Sequence, residues 1–273
     1  MMKHIQLLLL LYCFITNNPC KASASAPIAD GMGSTGITMG DCWSSYQNPA
    51  GLSFIQNSFI SLYQLNHFGI GEWNDIAICG GTEIKKHSFA SLGLSQMGFN
   101  GYKSTALIAS TSLQTSNKFR TGISLKGINE KIPGDLKNNT QDLVGSLGCI
   151  YECSAKLSLG LSINDISALN SSIRPNDLTI ISGIKYQTSS NVFLIAEAES
   201  REQNIFFHTG MCYFPVPSIA CRIGYTTTNN QIHAGLGFSF QRWSIDASCK
   251  LHPYLGVSSG ISICYKISSH ESQ

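Results

Sequence analysis

The sequence predicts an all-β fold: an antiparallel transmembrane β-barrel of about 14 strands with an N-terminal plug segment. Three observations carry this expectation. From residue 59 to residue 267, short segments alternate apolar with small or polar side chains, with turn residues between them. Most of these segments are close to the roughly 9–11 residues that a tilted membrane strand needs. Beyond the N-terminus every apolar stretch is broken by Ser, Gly, Asn or a charge within a few residues, so no helix of this chain is expected to cross a bilayer.

The chain begins as an exported protein does. Lys3 and His4 precede an apolar run from Ile5 to Ile15, and Asn17, Asn18 and Pro19 then break any helix. The small residues Ala22-Ser23-Ala24-Ser25-Ala26 follow, completing the charged, apolar and small order of a secretory signal. Pro27 disfavours a cut at Ala26, so cleavage is expected after Ala24, with a signal peptide over 1–24. The apolar run is too short to be an anchor, which takes about 20 residues. Thr16 to Pro19 are too polar for lipid attachment at Cys20.

Residues 25–58 do not alternate. They carry Gly31, Gly33, Gly36 and Gly40, then Asp41-Cys42-Trp43-Ser44-Ser45, then Asn48-Pro49-Ala50-Gly51-Leu52. Such a stretch reads as short helical turns and tight loops, with Pro49 restricting a turn and Gly51 permitting it. A segment of this kind can fold back into a barrel lumen.

The barrel itself is expected over 59–267, followed by a polar tail, 268–273. Its clearest strand runs from Gln231 to Gln241. Ile232, Ala234, Leu236, Phe238 and Phe240 face one way, and His233, Gly235, Gly237, Ser239 and Gln241 the other. The same alternation marks strands near 59–66, 73–80, 87–96, 104–114, 119–128, 142–153, 156–165, 177–188, 191–199, 204–213, 218–226, 231–241, 243–252 and 258–267. Turn signals separate them, among them Ser189-Ser190-Asn191, Pro215 with Pro217, and Thr228-Asn229-Asn230. A soluble β-sandwich also alternates, but its strands are usually about five or six residues long. Here nearly every strand has an apolar face, and the opposite face is Gly, Ser and Thr rather than the charged face that water favours. Lipid supplies no partners for backbone N–H and C=O groups, so a β-chain in a membrane must close on itself.

The composition limits the functional classes. The net charge is +2 and Lys and Arg are scattered singly, which leaves no footprint for nucleic acid. The apolar fraction is that of an ordered chain. Eight cysteines follow the expected cleavage site: Cys42, Cys79, Cys149, Cys153, Cys212, Cys221, Cys249 and Cys264. Most lie in strand-like runs and read as small apolar residues with free thiols. Cys149 and Cys153 would stand about 13 Å apart on one strand at roughly 3.3 Å per residue, too far for one metal or one disulfide.

Motifs with a chemical look lack their structural context. Gly31-Met32-Gly33-Ser34-Thr35-Gly36 has dinucleotide-binding spacing without a preceding strand. Gly256-Val257-Ser258-Ser259-Gly260 has nucleophile-elbow spacing but leads into a strand and a short tail. No catalytic residue, metal site or cofactor is expected. Glu197, Glu199, His208 and Arg222 are the candidate lumen contacts, with His233 also on the lumen side; Arg222 is a candidate charge partner for the two glutamates.

The stretch carrying Gly33, Met39-Gly40-Asp41, Trp43-Ser44 and Asn48-Pro49-Ala50-Gly51-Leu52 resembles the N-terminal signature of the PorV/PorQ family. These are outer-membrane proteins of the Bacteroidetes, similar in architecture to the FadL fatty acid transporters. Ala196-Glu197-Ala198-Glu199, Arg222-Ile223-Gly224 and His252-Pro253-Tyr254-Leu255-Gly256 resemble the family's C-terminal part. The resemblance implies a plug motif of Asp41, Trp43, Asn48, Pro49, Ala50, Gly51 and Leu52, a non-catalytic role, and a place in the cell outer membrane. Expected partners are outer-membrane lipid and secretion-system or surface proteins of type IX export. The alternative is a hydrophobic small molecule passed by a FadL-like pore. Two departures stand out: the last strand ends in a polar tail rather than a terminal Phe, and the chain leaves little room for large surface loops.

Overall fold

The computed structural model describes residues 26–99, 101–131, 139–167, 178–202 and 204–267. The expected signal peptide and polar tail lie outside the described residues. Fourteen strands follow a short N-terminal segment. They are β1 (Ser58–Asn66), β2 (Asn74–Lys85), β3 (Ser88–Phe99), β4 (Tyr102–Gln114), β5 (Phe119–Lys131), β6 (Asn139–Ser154) and β7 (Leu157–Ser167). The second half comprises β8 (Thr179–Ser189), β9 (Val192–Arg201), β10 (Asn204–Val216), β11 (Ile219–Thr226), β12 (Gln231–Phe240), β13 (Trp243–His252) and β14 (Gly256–Ile267).

Each strand pairs antiparallel with the next, and β1 pairs with β14 from Ser58↔Ile267 to Asn66↔Ser259. The sheet is therefore a closed barrel without a free edge, the one β-arrangement whose backbone groups are all satisfied in lipid. The strands match the sequence expectation, with β2, β3, β5, β6 and β10 running further than expected at one end. β2 runs on to Lys85 rather than ending near 80. β10 continues through Pro215, expected in a turn; its register shifts between Tyr213 and Val216, an irregularity that accommodates a residue with no N–H to give the ladder.

The two ends of the barrel differ. Lys86-His87, 115–118, 155–156, 190–191, 217–218 and 241–242 are tight turns of two to four residues at one end. At the other end, among the described residues, lie 67–73, 227–230 and 253–255. The chain enters β1 and leaves β14 at the tight-turn end. Short periplasmic turns and longer extracellular loops are the rule for barrels of this class, which assigns the tight-turn end to the periplasm.

The outer face is apolar. Leu92, Leu107, Ile123, Leu236 and Ile261 are among the side chains that point away from the barrel, and Leu236 is 61% exposed. Tyr151, Tyr186, Tyr213, Phe240 and Trp243 stand outward near the tight-turn end, forming an aromatic girdle at a membrane interface. The inner face is small and polar, with Ser91, Ser112, Ser124, Ser162 and Ser262 buried. No helix of the described residues is long and apolar enough to cross a membrane; the strands do so.

Leu236 lies halfway along β12, facing lipid. Leu236→Arg is expected to lower folding stability by about 2–4 kcal/mol, the cost of a cation at the bilayer midplane. Denaturant titration in lipid vesicles measures this.

Candidate functional site

The lumen holds residues 26–57. This segment forms one short helix, α1 (Pro27–Asp30), and two 3-10 turns, Ser44–Tyr46 and Pro49–Phe54. Local chemistry explains the second turn. Pro49 sits at its first position, and the Asn48 side chain caps it by accepting the Ala50 N–H at 3.1 Å.

The segment runs around the inside of the wall. Gly31 lies against β12, Met32 and Gly33 against β10 and β11, Ile37 against β7 and β8, Asn48 against β6, and Pro49 with Ala50 against β5. At these contacts the wall residue is glycine. A Cβ at Gly210 would sit 2.6 Å from the Met32 carbonyl oxygen, and one at Gly160 would sit 2.8 Å from that of Ile37. One at Gly224 would overlap the Gly33 backbone nitrogen. The backbone-to-backbone approach therefore requires a bare wall at these heights.

Polar groups of the wall then meet the backbone of the segment. Glu197 on β9 accepts the N–H groups of Gly36 at 2.9 Å and Ile37 at 3.0 Å through one carboxylate oxygen. His208 on β10 contacts the Gly33 carbonyl through Nδ1 at 3.0 Å and Glu199 through Nε2 at 3.1 Å. Both ring nitrogens thus face oxygens, a pattern that a doubly protonated imidazolium satisfies. Asn48 donates through Nδ2 to Ile37 O at 2.7 Å and to Cys149 O at 3.2 Å. Ser162 donates to Gln47 O at 3.0 Å, and Ser45 pairs with Ser91.

A second anchor surrounds α1. The fully buried Asp30 carboxylate meets Lys250 Nζ at 3.1 Å and the Tyr63 hydroxyl at 3.2 Å, and its backbone carbonyl meets His233 Nδ1 at 2.6 Å. A buried carboxylate is tolerable only with such partners. Apolar packing completes the junction. Trp43 and Leu52 are fully buried in a cluster with Phe59, Tyr63 and Phe89, and Phe54 lies under the Arg120 guanidinium at 3.9 Å from the ring centre.

The residues expected from sequence thus fall into three groups. Trp43, Asn48, Pro49, Ala50, Gly51 and Leu52 are buried at the junction, with Asp41 beside them accepting the Trp43 N–H at 2.8 Å. Glu197, Glu199 and His208 form one cluster on the segment's Gly33–Ile37 backbone. Arg222 does not join that cluster. It pairs with Asp246 on β13 at 2.7 Å, while Glu199 meets His208 and Arg201 instead. The reason is position: β10 separates Arg222 from β9, and the guanidinium turns across β12 to a nearer carboxylate. Sequence reasoning missed Asp30, Tyr63 and Lys250. The one signal was a lysine on the lumen face of β13, which needs a counter-charge.

All eight cysteines among the described residues are free thiols. Cys79 and Cys264 flank Ser61 in register on β2 and β14, and Cys42 lies between them. The Cys42 thiol is pushed well up by its hydrogen bond with Cys264 and by burial. Asp41 is pushed up to about 6, chiefly by burial, against the opposing hydrogen bond from the Trp43 N–H.

The sequence matches no protein-family model and no curated protein. Solved structures resemble it in shape. The toluene transporter TbuX of Ralstonia pickettii superposes with a TM-score of 0.70 at 11% identity, over 90% of this chain and 99% of that one. The P. putida toluene transporter TodX gives 0.70 at 11% identity, over 92% and 100%. A Pseudomonas aeruginosa FadL homologue gives 0.62 at 11% identity, over 92% and 99%. What is shared is the fold. This chain has the closed 14-stranded barrel of FadL-like outer-membrane proteins.

Two outcomes follow from the junction. Glu197→Ala leaves the Gly36 and Ile37 N–H groups without acceptors, at about 1–3 kcal/mol for each buried orphan. Faster amide exchange at these two residues, with the barrel intact, is the expected result. Asp41 ionises near its ordinary value of 3.8 in an undocked segment and near 6 when docked. The docked state therefore holds the extra proton between those values, and docking weakens as pH rises from about 4 to about 6. Protease protection of residues 26–57 is expected to fall over that window, by less in Asp41→Asn, and the difference between the two proteins isolates Asp41.

Proposed function

We propose that this protein is a non-catalytic outer-membrane channel that passes small hydrophobic molecules, as FadL-like proteins do. The observation that carries the reading is how the lumen is closed. The N-terminal segment rests on a glycine wall and is held there by polar groups, while its side-chain packing is concentrated in two apolar clusters, one at Met32 and one at Trp43 with Leu52, so opening means parting those contacts as well. In this reading residues 25–58 are the plug, exported behind a signal peptide over 1–24. Glu197, Glu199 and His208 are its latch, and Asp30 with Lys250 is its hinge-side anchor.

Two further observations support uptake. The neighbours in shape include toluene transporters and a monoaromatic hydrocarbon channel. The β6–β7 ladder is irregular between Gly145 and Leu147, opposite Ile163 and Ile166. A lateral exit of an apolar solute into the bilayer would need the wall to part at such an irregular point.

A second reading is a PorV/PorQ-like scaffold linked to type IX export, with secretion-system or surface proteins as partners. It is favoured by the occupied lumen and by the Asn48–Leu52 motif. The length of the chain, which leaves little room for large surface loops, weighs against it.

Gene deletion with complementation separates the two. For the channel, deletion is expected to lower uptake of toluene and of a labelled fatty acid several-fold, leave surface export unchanged, and be rescued by the wild-type gene. Lost export with unchanged uptake would reverse the assignment.

A further inference from the structure

The outer wall carries a feature that neither reading uses. A groove of about 450 Å³ opens on the lipid-facing side of β3 to β6. Its floor is Gly127 on β5, where an added Cβ would meet nothing within 4 Å. Leu94, Leu107 and Leu143 form its apolar sides, with Leu107 and Leu143 in direct register with Gly127 on either flank. Two residues further along the strands, towards the extracellular end, Thr105, Asn129 and Gln141 lie on one rung and make a polar collar. Two residues beyond that, Lys103 and Lys131 face each other directly across β4 and β5.

That last pair is unusual. Both lysines are exposed, and neither has an ion-pair partner among the described residues. Their register neighbours on β3 and β6, Gly98 and Asn139, carry no charge. Like charges directly opposite on a sheet repel, and an anion between them would relieve that repulsion. The sequence of features along the barrel axis is apolar slot, hydrogen-bonding collar, then paired cations at the outer interface. This is the profile of a lipid seen from chain to headgroup.

We propose that this groove is a binding site for a phosphorylated glycolipid of the outer leaflet. One acyl chain occupies the slot over Gly127. The linkage and sugar hydroxyls meet Thr105, Asn129 and Gln141, and a phosphate bridges Lys103 and Lys131. A glycolipid rather than a phospholipid fits the extracellular position of the lysines and the collar of three neutral hydrogen-bonding side chains below them. The site does not depend on whether the lumen conducts.

The test is native mass spectrometry with lipid extraction on the full-length protein, purified from outer membranes in mild detergent. Wild type is expected to retain a phosphorylated glycolipid. Each lysine near an anionic lipid surface is worth about 1 kcal/mol, so Lys103→Gln with Lys131→Gln is expected to weaken retention by roughly thirty-fold. Gly127→Leu fills the slot and is expected to remove the lipid with both lysines in place. Lys118→Gln with Lys156→Gln, at the tight turns of the opposite end, is expected to change nothing. A mobility shift on boiling checks that each variant is a folded barrel. Equal retention in all variants, no retained lipid in wild type, a retained phospholipid in place of the glycolipid, or a phosphate-free hydrophobic molecule lost only in Gly127→Leu would each overturn the proposal.

Discussion

Lipid offers nothing to a backbone N–H or C=O, and the rest of this structure follows from that constraint. A β-chain in the bilayer must close, and β1 does so on β14. Closure makes every side chain point either to lipid or to the lumen. Leu, Ile and aromatic residues take the first face, and Gly, Ser and scattered charges take the second. The lumen then holds polar groups shielded from water, and each needs a partner.

The N-terminal segment supplies many of those partners. Much of this is done by its backbone: Gly33, Gly36, Ile37 and Gln47 present main-chain groups to His208, Glu197 and Ser162. The segment's backbone approaches the wall's backbone directly where the wall residue is glycine, which gives Gly160, Gly210 and Gly224 their purpose. The same small inner face that distinguishes this chain from a soluble β-sandwich is thus the docking surface for the segment. Contacts of this kind are directional and specify the segment's position, and the apolar clusters at Met32 and at Trp43 with Leu52 add packing that its release must also undo. The two charge clusters, one on β9 and β10 and one joining α1 to β13, sit at separate places along it and can be broken separately.

The outer face reads differently. Most of it is an apolar belt ending in an aromatic girdle towards the periplasm, which fixes depth in the bilayer without specificity. The stretch over Gly127 departs from that uniformity by setting a missing side chain below a pair of facing lysines that has no ion-pair partner among the described residues.

Much of this was legible in the sequence because a strand has a period of two residues. Alternation alone sorts Ile232, Leu236 and Phe238 from His233, Gly235 and Gly237, and it counts fourteen segments of membrane length. The same alternation put Glu197, Glu199 and His208 on the lumen face, and its break marked the segment around Asn48–Leu52. Period two says which face a residue takes, but not what stands across from it. Height in the barrel and the neighbour at that height depend on register, on turn lengths and on the path of the N-terminal segment. Arg222 therefore turned to Asp246 rather than to the glutamates, Asp30 found Lys250 from the far end of the chain, and Lys103 met Lys131. Each of these contacts joins residues whose proximity arises only when the sheet closes, so the tertiary structure alone decided them.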